Sequence, residues 1–202
     1  MTGFFRTLIL AFSDHDPDGA LMSTRSVRLF FLALCILTSA LISGFFYAYY
    51  CSVMPGLAAA DPETAIRAMQ GINAVVRNAS FAFSFFGTLA FGAIAIVLLT
   101  GAGGWPLGLA LFGTTIYGLG AFAVTLLYSV PLNEALANVT PAPQDAAQIW
   151  QDYLEPWTFW NALRTLMSVL ALAAFTASLV ALFVQPYAAL AQAPFRSARS
   201  GR

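Results

Sequence analysis

Trp157, Trp160, Asn161 and Arg164 stand at i, i+3, i+4 and i+7 in the stretch Pro156-Trp157-Thr158-Phe159-Trp160-Asn161-Ala162-Leu163-Arg164. That spacing puts two indoles, an amide and a guanidinium on one face of a helix. A second polar stripe, Gln70, Asn73 and Arg77, falls at i, i+3 and i+7, and Asn133-Glu134 follows Pro131. A guanidinium among carboxamides suits an anionic or enolate-like oxygen, and Trp and Tyr rings suit a flat apolar body. Each stripe also has a plainer reading. The first fits an interfacial aromatic belt with a snorkelling arginine, and the second fits the wet face of an interfacial helix.

The elements that must position these groups follow from composition. The chain has 202 residues, of which 59% are hydrophobic and only 9% charged; soluble domains carry about 25% charged residues. This is the composition of an integral membrane protein. Net charge is zero, so no bulk field argues for nucleic acid. Cys35 and Cys51 lie 16 positions apart on the first apolar stretch, too far to pair within one helix, and both read as small buried hydrophobes. His15 is the single histidine, so the apolar part offers neither a structural zinc set nor a haem ligand.

In chain order, residues 1–26 read as a tail, disordered or an extension ahead of a true start at Met22. The first span runs from about 27 to 51, ends in an aromatic belt that includes Tyr50, and breaks at Val53-Met54-Pro55-Gly56-Leu57. Asp61-Pro62-Glu63 starts a short helix that runs to about Val76. Two further spans, about 81–99 and 106–129, are joined by a turn at Gly101–Pro106, and Tyr128 to Glu134 ends the third. Gln144 to Leu154 reads as a short amphipathic helix with Ala147, Ile149 or Trp150, and Leu154 inward. Pro156 would open the last helix, with its span at about 165–184, Gln185-Pro186 as its stop and 186–202 as a tail. The expected fold is therefore all-α: a four-helix bundle across a membrane, occupying 27–185, with short interfacial helices in the two outer connections.

Arginine placement orients it. Six arginines (Arg6, Arg25, Arg28, Arg196, Arg199, Arg202) flank the termini, against Arg67, Arg77 and Arg164 on the other side. The excess predicts a multi-pass protein of the cell membrane with both termini cytoplasmic. The outer side then carries both long connections and all the polar residues named above, in position to converge on one pocket between helix ends.

Four segments carry a family resemblance: Val53-Met54-Pro55-Gly56-Leu57, Ala68-Met69-Gln70-Gly71-Ile72-Asn73, Val130-Pro131-Leu132-Asn133-Glu134 and Trp157 to Arg164. In this order they resemble the anthrone oxygenase-like family of four-span membrane proteins, whose bacterial members are largely of unknown function. The resemblance implies a small four-span protein with no recognised metal or flavin motif, hence no cofactor, some of whose relatives oxidise an anthrone to an anthraquinone. Under it, Arg164, Asn161 and Asn133 would stabilise an enolate oxygen. Glu134 is the nearest carboxylate for a base. Trp157, Trp160, Gln70, Asn73, Arg77, Tyr50 and Tyr128 would surround the substrate.

Three functions compete at this stage. The polar and aromatic cluster could bind a small aromatic or lipid-like molecule, a lipid, a partner protein or a second copy of the chain. It could serve a cofactor-independent oxygenase. A transporter or channel fits less well, because the spans hold no buried acid or base pair. The cluster could also be a hydrogen-bonded plug that cross-links helix ends with no ligand.

Overall fold

The computed structural model describes residues 23–140, 142 and 144–191, with side chains as far as 185. The described residues are helical, with five helices and no strand among them. They are α1 (Thr24–Ala58), α2 (Pro62–Val75), α3 (Ala79–Leu99), α4 (Gly104–Ala137) and α5 (Ala146–Ala191). All but α2 are long and apolar enough to cross a membrane. Residues 1–22 and 192–202, which hold most of the two expected tails, lie outside the description.

Helix α1 packs against α3 and α5, and α4 packs against α3 and α5, which closes a four-helix bundle. Its core runs through Leu32, Cys35, Ile42, Phe46, Phe85, Tyr117 and Phe175. Large apolar side chains such as Leu41, Phe86, Leu127 and Val180 point outward, as they do where the surrounding solvent is hydrocarbon. Buried hydroxyls are satisfied inside their own helices: Thr38, Ser43, Thr88 and Thr114 each donate to the carbonyl four residues back. Tyr117 reaches across instead and donates to the Phe85 carbonyl at 2.7 Å.

Small residues set the helix separation. A Cβ built on Gly92 would lie 2.5 Å from the Thr114 hydroxyl oxygen, which already donates to the Ala110 carbonyl. Gly92→Val is therefore expected to destabilise by about 1–3 kcal/mol, read as a lower Tm in detergent. Gly108→Val is the control and should leave Tm unchanged, because nothing lies within 4 Å of its added Cβ. At the other turn of the bundle, Gly103 and Gly104 adopt φ of 61° and 58°, values open chiefly to glycine, and together they reverse the chain between α3 and α4.

Four expectations change. Val53–Leu57 does not break α1; the helix passes through a π-helical turn, Tyr49–Val53, and continues to Ala58. Likewise α4 passes through π turns at Gly118–Ala123 and Thr125–Ser129 and carries Pro131 inside it. In both helices the residue before the proline, Met54 or Val130, donates its N–H five residues back, to Tyr49 or Thr125. The wider turn takes up a residue that could not have joined an ordinary i→i−4 ladder.

Third, Pro156 does not open a helix. The short helix expected at 144–154 and the last span are one helix, α5, running through Pro156 and on past Pro186 to Ala191. The carbonyl orphaned by Pro156 belongs to Asp152, on the exposed side, where water can satisfy it. Fourth, the inward residues of that first part are Ala146, Trp150, Tyr153 and Trp157, while Ala147 is exposed. Cys51 is also exposed, unlike Cys35.

A cationic cavity at one end of the bundle

Helix α2 lies across the end of the bundle away from the α3–α4 turn, packing on α5 and on the last turns of α4. The start of α2 follows from its sequence. Asp61 accepts the Thr64 N–H at 3.1 Å as N-cap, and Pro62 needs no donor in the first turn. Ile66 and Met69 are buried beneath it, against Tyr49, Met54 and Trp150. Gln70 then ties the end of α4 to α2: its Nε2 donates to the Leu136 and Val139 carbonyls at 2.8 and 2.9 Å. The Leu136 carbonyl also accepts the Val139 N–H at 3.2 Å, and Val139 lies just past the end of α4.

Below α2, Arg164 is only 4% exposed. Its Nη2 donates to Asn161 Oδ1 at 3.1 Å and its Nη1 to the Thr125 hydroxyl at 3.3 Å. Its guanidinium carbon lies 4.6 Å from the Phe46 ring centre and 5.2 Å from that of Trp157, within cation–π range. Asn161, fully buried, is the brace: its Nδ2 donates to the Phe46 carbonyl at 3.0 Å. That carbonyl lies in the last turn before α1 changes to π winding and also takes the Tyr49 N–H.

Asn133 is a second knot. Its Oδ1 accepts both the Tyr153 hydroxyl and the Trp157 indole N–H, each at 2.8 Å. Two donors converging on one amide oxygen fix which way the amide points. They also fix the face of Trp157 turned toward Arg164.

These groups line a cavity of about 100 Å³. Its walls include Phe45, Phe46, Tyr49, Phe81 and Trp157, and its polar lining includes Asn73, Thr125, Ser129, Asn133, Arg77 and Arg164. The lining holds two arginines and no carboxylate. Among the described residues the ion pairs are Arg67–Glu63 and Arg77–Glu134, both exposed, so Arg164 has no counter-ion. Three buried polar atoms on the wall lack a partner: Arg164 Nε, Ser129 Oγ and Asn73 Nδ2. A buried charge without a partner costs several kcal/mol, and native proteins leave few such atoms unsatisfied. An outer cleft of about 370 Å³ shares Asn73, Arg77 and Asn133 with the cavity and adds Gln70, Glu134 and Asn138. The two amides and Arg77 thus line both the polar outer cleft and the aromatic chamber.

The residues singled out from the sequence divide accordingly. Arg164, Asn133, Trp157, Asn73 and Arg77 line the chamber. Asn161 sits behind Arg164, Gln70 ties helix ends together, and Glu134 stands in the outer cleft 3.5 Å from Arg77. Trp160 faces away, stacked on Tyr128 with ring centres 3.7 Å apart. Tyr50 lines a separate apolar groove with Met54 and Phe159. The sequence reading passed over Phe46, Tyr49, Thr125 and Ser129. Two hydroxyl residues four apart at 125 and 129 within an apolar span are the signal that could have found the last pair. Among the described residues no three His, Cys, Asp or Glu side chains gather as a metal site.

A four-span membrane bundle with a buried, uncompensated guanidinium in an aromatic chamber is the class that fold and site define. Residues 80–175, from α3 to the middle of α5, match the family described as Anthrone oxygenase. No curated protein and no solved structure matches the chain significantly.

Proposed function

We propose that the protein binds a small planar molecule carrying an acidic oxygen, a phenol or an enolisable ring ketone, and holds that oxygen as an anion against Arg164. The observation that carries this reading is the buried guanidinium with no carboxylate partner and an unpartnered Nε, on a side chain that lines a cavity. An anion about 4 Å away would recover about 4 kcal/mol at an effective dielectric near 20. Thr125, Ser129 and Asn73 supply further polar contacts, and the rings of Phe46, Phe81 and Trp157 take the flat body. The excess of arginines near the termini supports an outward-facing site in a cell-membrane protein.

The family match favours a second step, oxidation of the bound molecule by O₂. Loss of a proton from a ring methylene beside a conjugated carbonyl gives an enolate, whose oxygen Arg164 holds and whose carbon is electron-rich. That carbon gives its electrons to O₂. One oxygen atom ends in the new carbonyl and the other leaves as water with the two methylene hydrogens, a four-electron oxidation matched by the four-electron reduction of O₂. Glu134, in the outer cleft, is the proton acceptor in this reading.

The test is native mass spectrometry of protein extracted in mild detergent, with solvent extraction of what it retains. A stoichiometric ring compound with an acidic oxygen is expected. A protein that is empty, or carries phospholipid alone, counts against ligand binding and for the plug.

A further inference from the structure

Two hydroxyl oxygens among the described residues are buried without a partner, Thr158 Oγ1 and Ser129 Oγ. Buried hydroxyls elsewhere in these spans donate to main-chain carbonyls. Thr158 lines the separate apolar groove beside Tyr50. Ser129, which ends the π turn Thr125–Ser129, is 1% exposed and lines the chamber. Arg164, with its unpartnered Nε, and Asn73, with its unpartnered Nδ2, line the same chamber. Three helices, α2, α4 and α5, thus each bring to one cavity a side chain with an unused polar atom.

The surplus is one of donors. Arg164 Nε and Asn73 Nδ2 can only donate, and a serine hydroxyl can do so. The side-chain acceptors beside them are engaged. Asn133 Oδ1 takes two donors, Asn161 Oδ1 takes Arg164 Nη2, and the Thr125 hydroxyl takes Arg164 Nη1 while donating to the Ala121 carbonyl. No carboxylate is in the lining. Water alone suits such a wall poorly, because it brings two hydrogens that need acceptors of their own. An anion accepts from every side and answers the guanidinium charge as well. The chamber's 100 Å³ is about three times one water's share of the liquid. A monatomic anion with a water beside it fits the walls as they stand. A cavity of about 150 Å³ takes one benzene, so an organic ring enters only as the walls part.

We propose that Arg164, Ser129 and Asn73 form a halide site, and that chloride is the counter-ion of Arg164 until an organic anion displaces it. The assignment rests on the anion site at Arg164 read above and adds its regulation. Chloride and the acidic oxygen of the organic ligand compete for one guanidinium, so affinity for the organic ligand falls as chloride rises.

The experiment is a series of thermal melts of the detergent-solubilised full chain in rising chloride, with gluconate as the balancing anion at constant ionic strength. Tm should rise by about 2 °C or more for each tenfold of chloride beyond half-occupancy. Arg164→Met should show no rise. Ser129→Ala, which loses no protein hydrogen bond, should melt like the parent in gluconate and need about fivefold more chloride for the same rise; it keeps the test open should Arg164→Met fail to fold. In the parent, 4-nitrophenolate, a phenolate of the class proposed above, should bind with an apparent Kd that climbs in proportion to chloride, read from its visible absorbance. A Tm indifferent to chloride, or one that rises equally in the parent and both variants, overturns the halide site, and Arg164-dependent binding of 4-nitrophenolate would still uphold the organic anion. Equal binding of 4-nitrophenolate at low and high chloride overturns the shared site. A chloride effect that needs Arg164, with no binding of 4-nitrophenolate, keeps the halide site and overturns the organic ligand.

Discussion

Arg164→Met should abolish anion binding and leave the empty protein about as stable as the parent. Methionine fills a similar volume with an apolar, adaptable chain. The substitution loses two hydrogen bonds and two ring contacts, worth about 0.5–2 kcal/mol for each ring and about 1.5–3 for a charged hydrogen bond. It also removes the cost of holding a cation in a low-dielectric interior, several kcal/mol. These effects nearly cancel in the empty protein. They do not cancel for the complex, where affinity should fall at least a hundredfold, about 2.7 kcal/mol. The measurement is Tm in detergent with and without 4-nitrophenolate. A fall of more than about 5 °C in the empty protein would make Arg164 a structural rivet and the constellation a plug.

The second large effect lies at Asn133. In Asn133→Leu the Tyr153 hydroxyl and the Trp157 indole N–H lose their common acceptor. Each buried donor left unsatisfied costs about 1–3 kcal/mol, so about 2–6 together, a large share of an ordinary folding free energy. Asn133→Asp keeps the acceptor and should recover the lost stability. It also places a carboxylate on the wall of the chamber that holds Arg164, an internal counter-ion that competes with the ligand. The Leu variant is then unstable, while the Asp variant is stable and binds anions weakly. Thermal melts of the two variants, with an anion titration of the second, separate the two roles of one side chain. An Asp variant that melts as low as the Leu variant would mean that the knot is not what holds α4 to α5.

How far the sequence reaches can be seen at individual residues. The four spans were legible because uncharged runs of about 20 residues have few alternatives, and α2 because a cap, a proline and a 3.6-residue apolar pattern agree. The stripe from Trp157 to Arg164 was legible as a helical face, but not at the resolution needed. At about 100° per residue, Trp157, Asn161 and Arg164 fall within about 60° of one another, and Trp160 lies on the edge. The structure turns Trp160 to Tyr128 and away from the chamber. The prolines misled because each was read as a stop. Pro55 and Pro131 follow π turns, and Pro156 leaves its orphan carbonyl on the wet side. Asn133 as a double acceptor was beyond reach, because its donors come from another helix 20 and 24 residues away.

The π turns in α1 and α4 have a bearing on how such a site can be lost. A π turn holds one residue more than α winding needs for the same advance, so it sets the rotational phase of everything beyond it. In α4 the turn Thr125–Ser129 stands between the hydroxyl that meets Arg164 and the amide that meets Trp157. Removing Leu126, Leu127 or Tyr128 there lets the helix rewind and swings Asn133 by about 100° around the axis, away from Tyr153 and Trp157, with every chemical group of the chamber still encoded. The alignment of the two halves is thus written in the number of residues between them, and a single codon dropped from that interval would undo it.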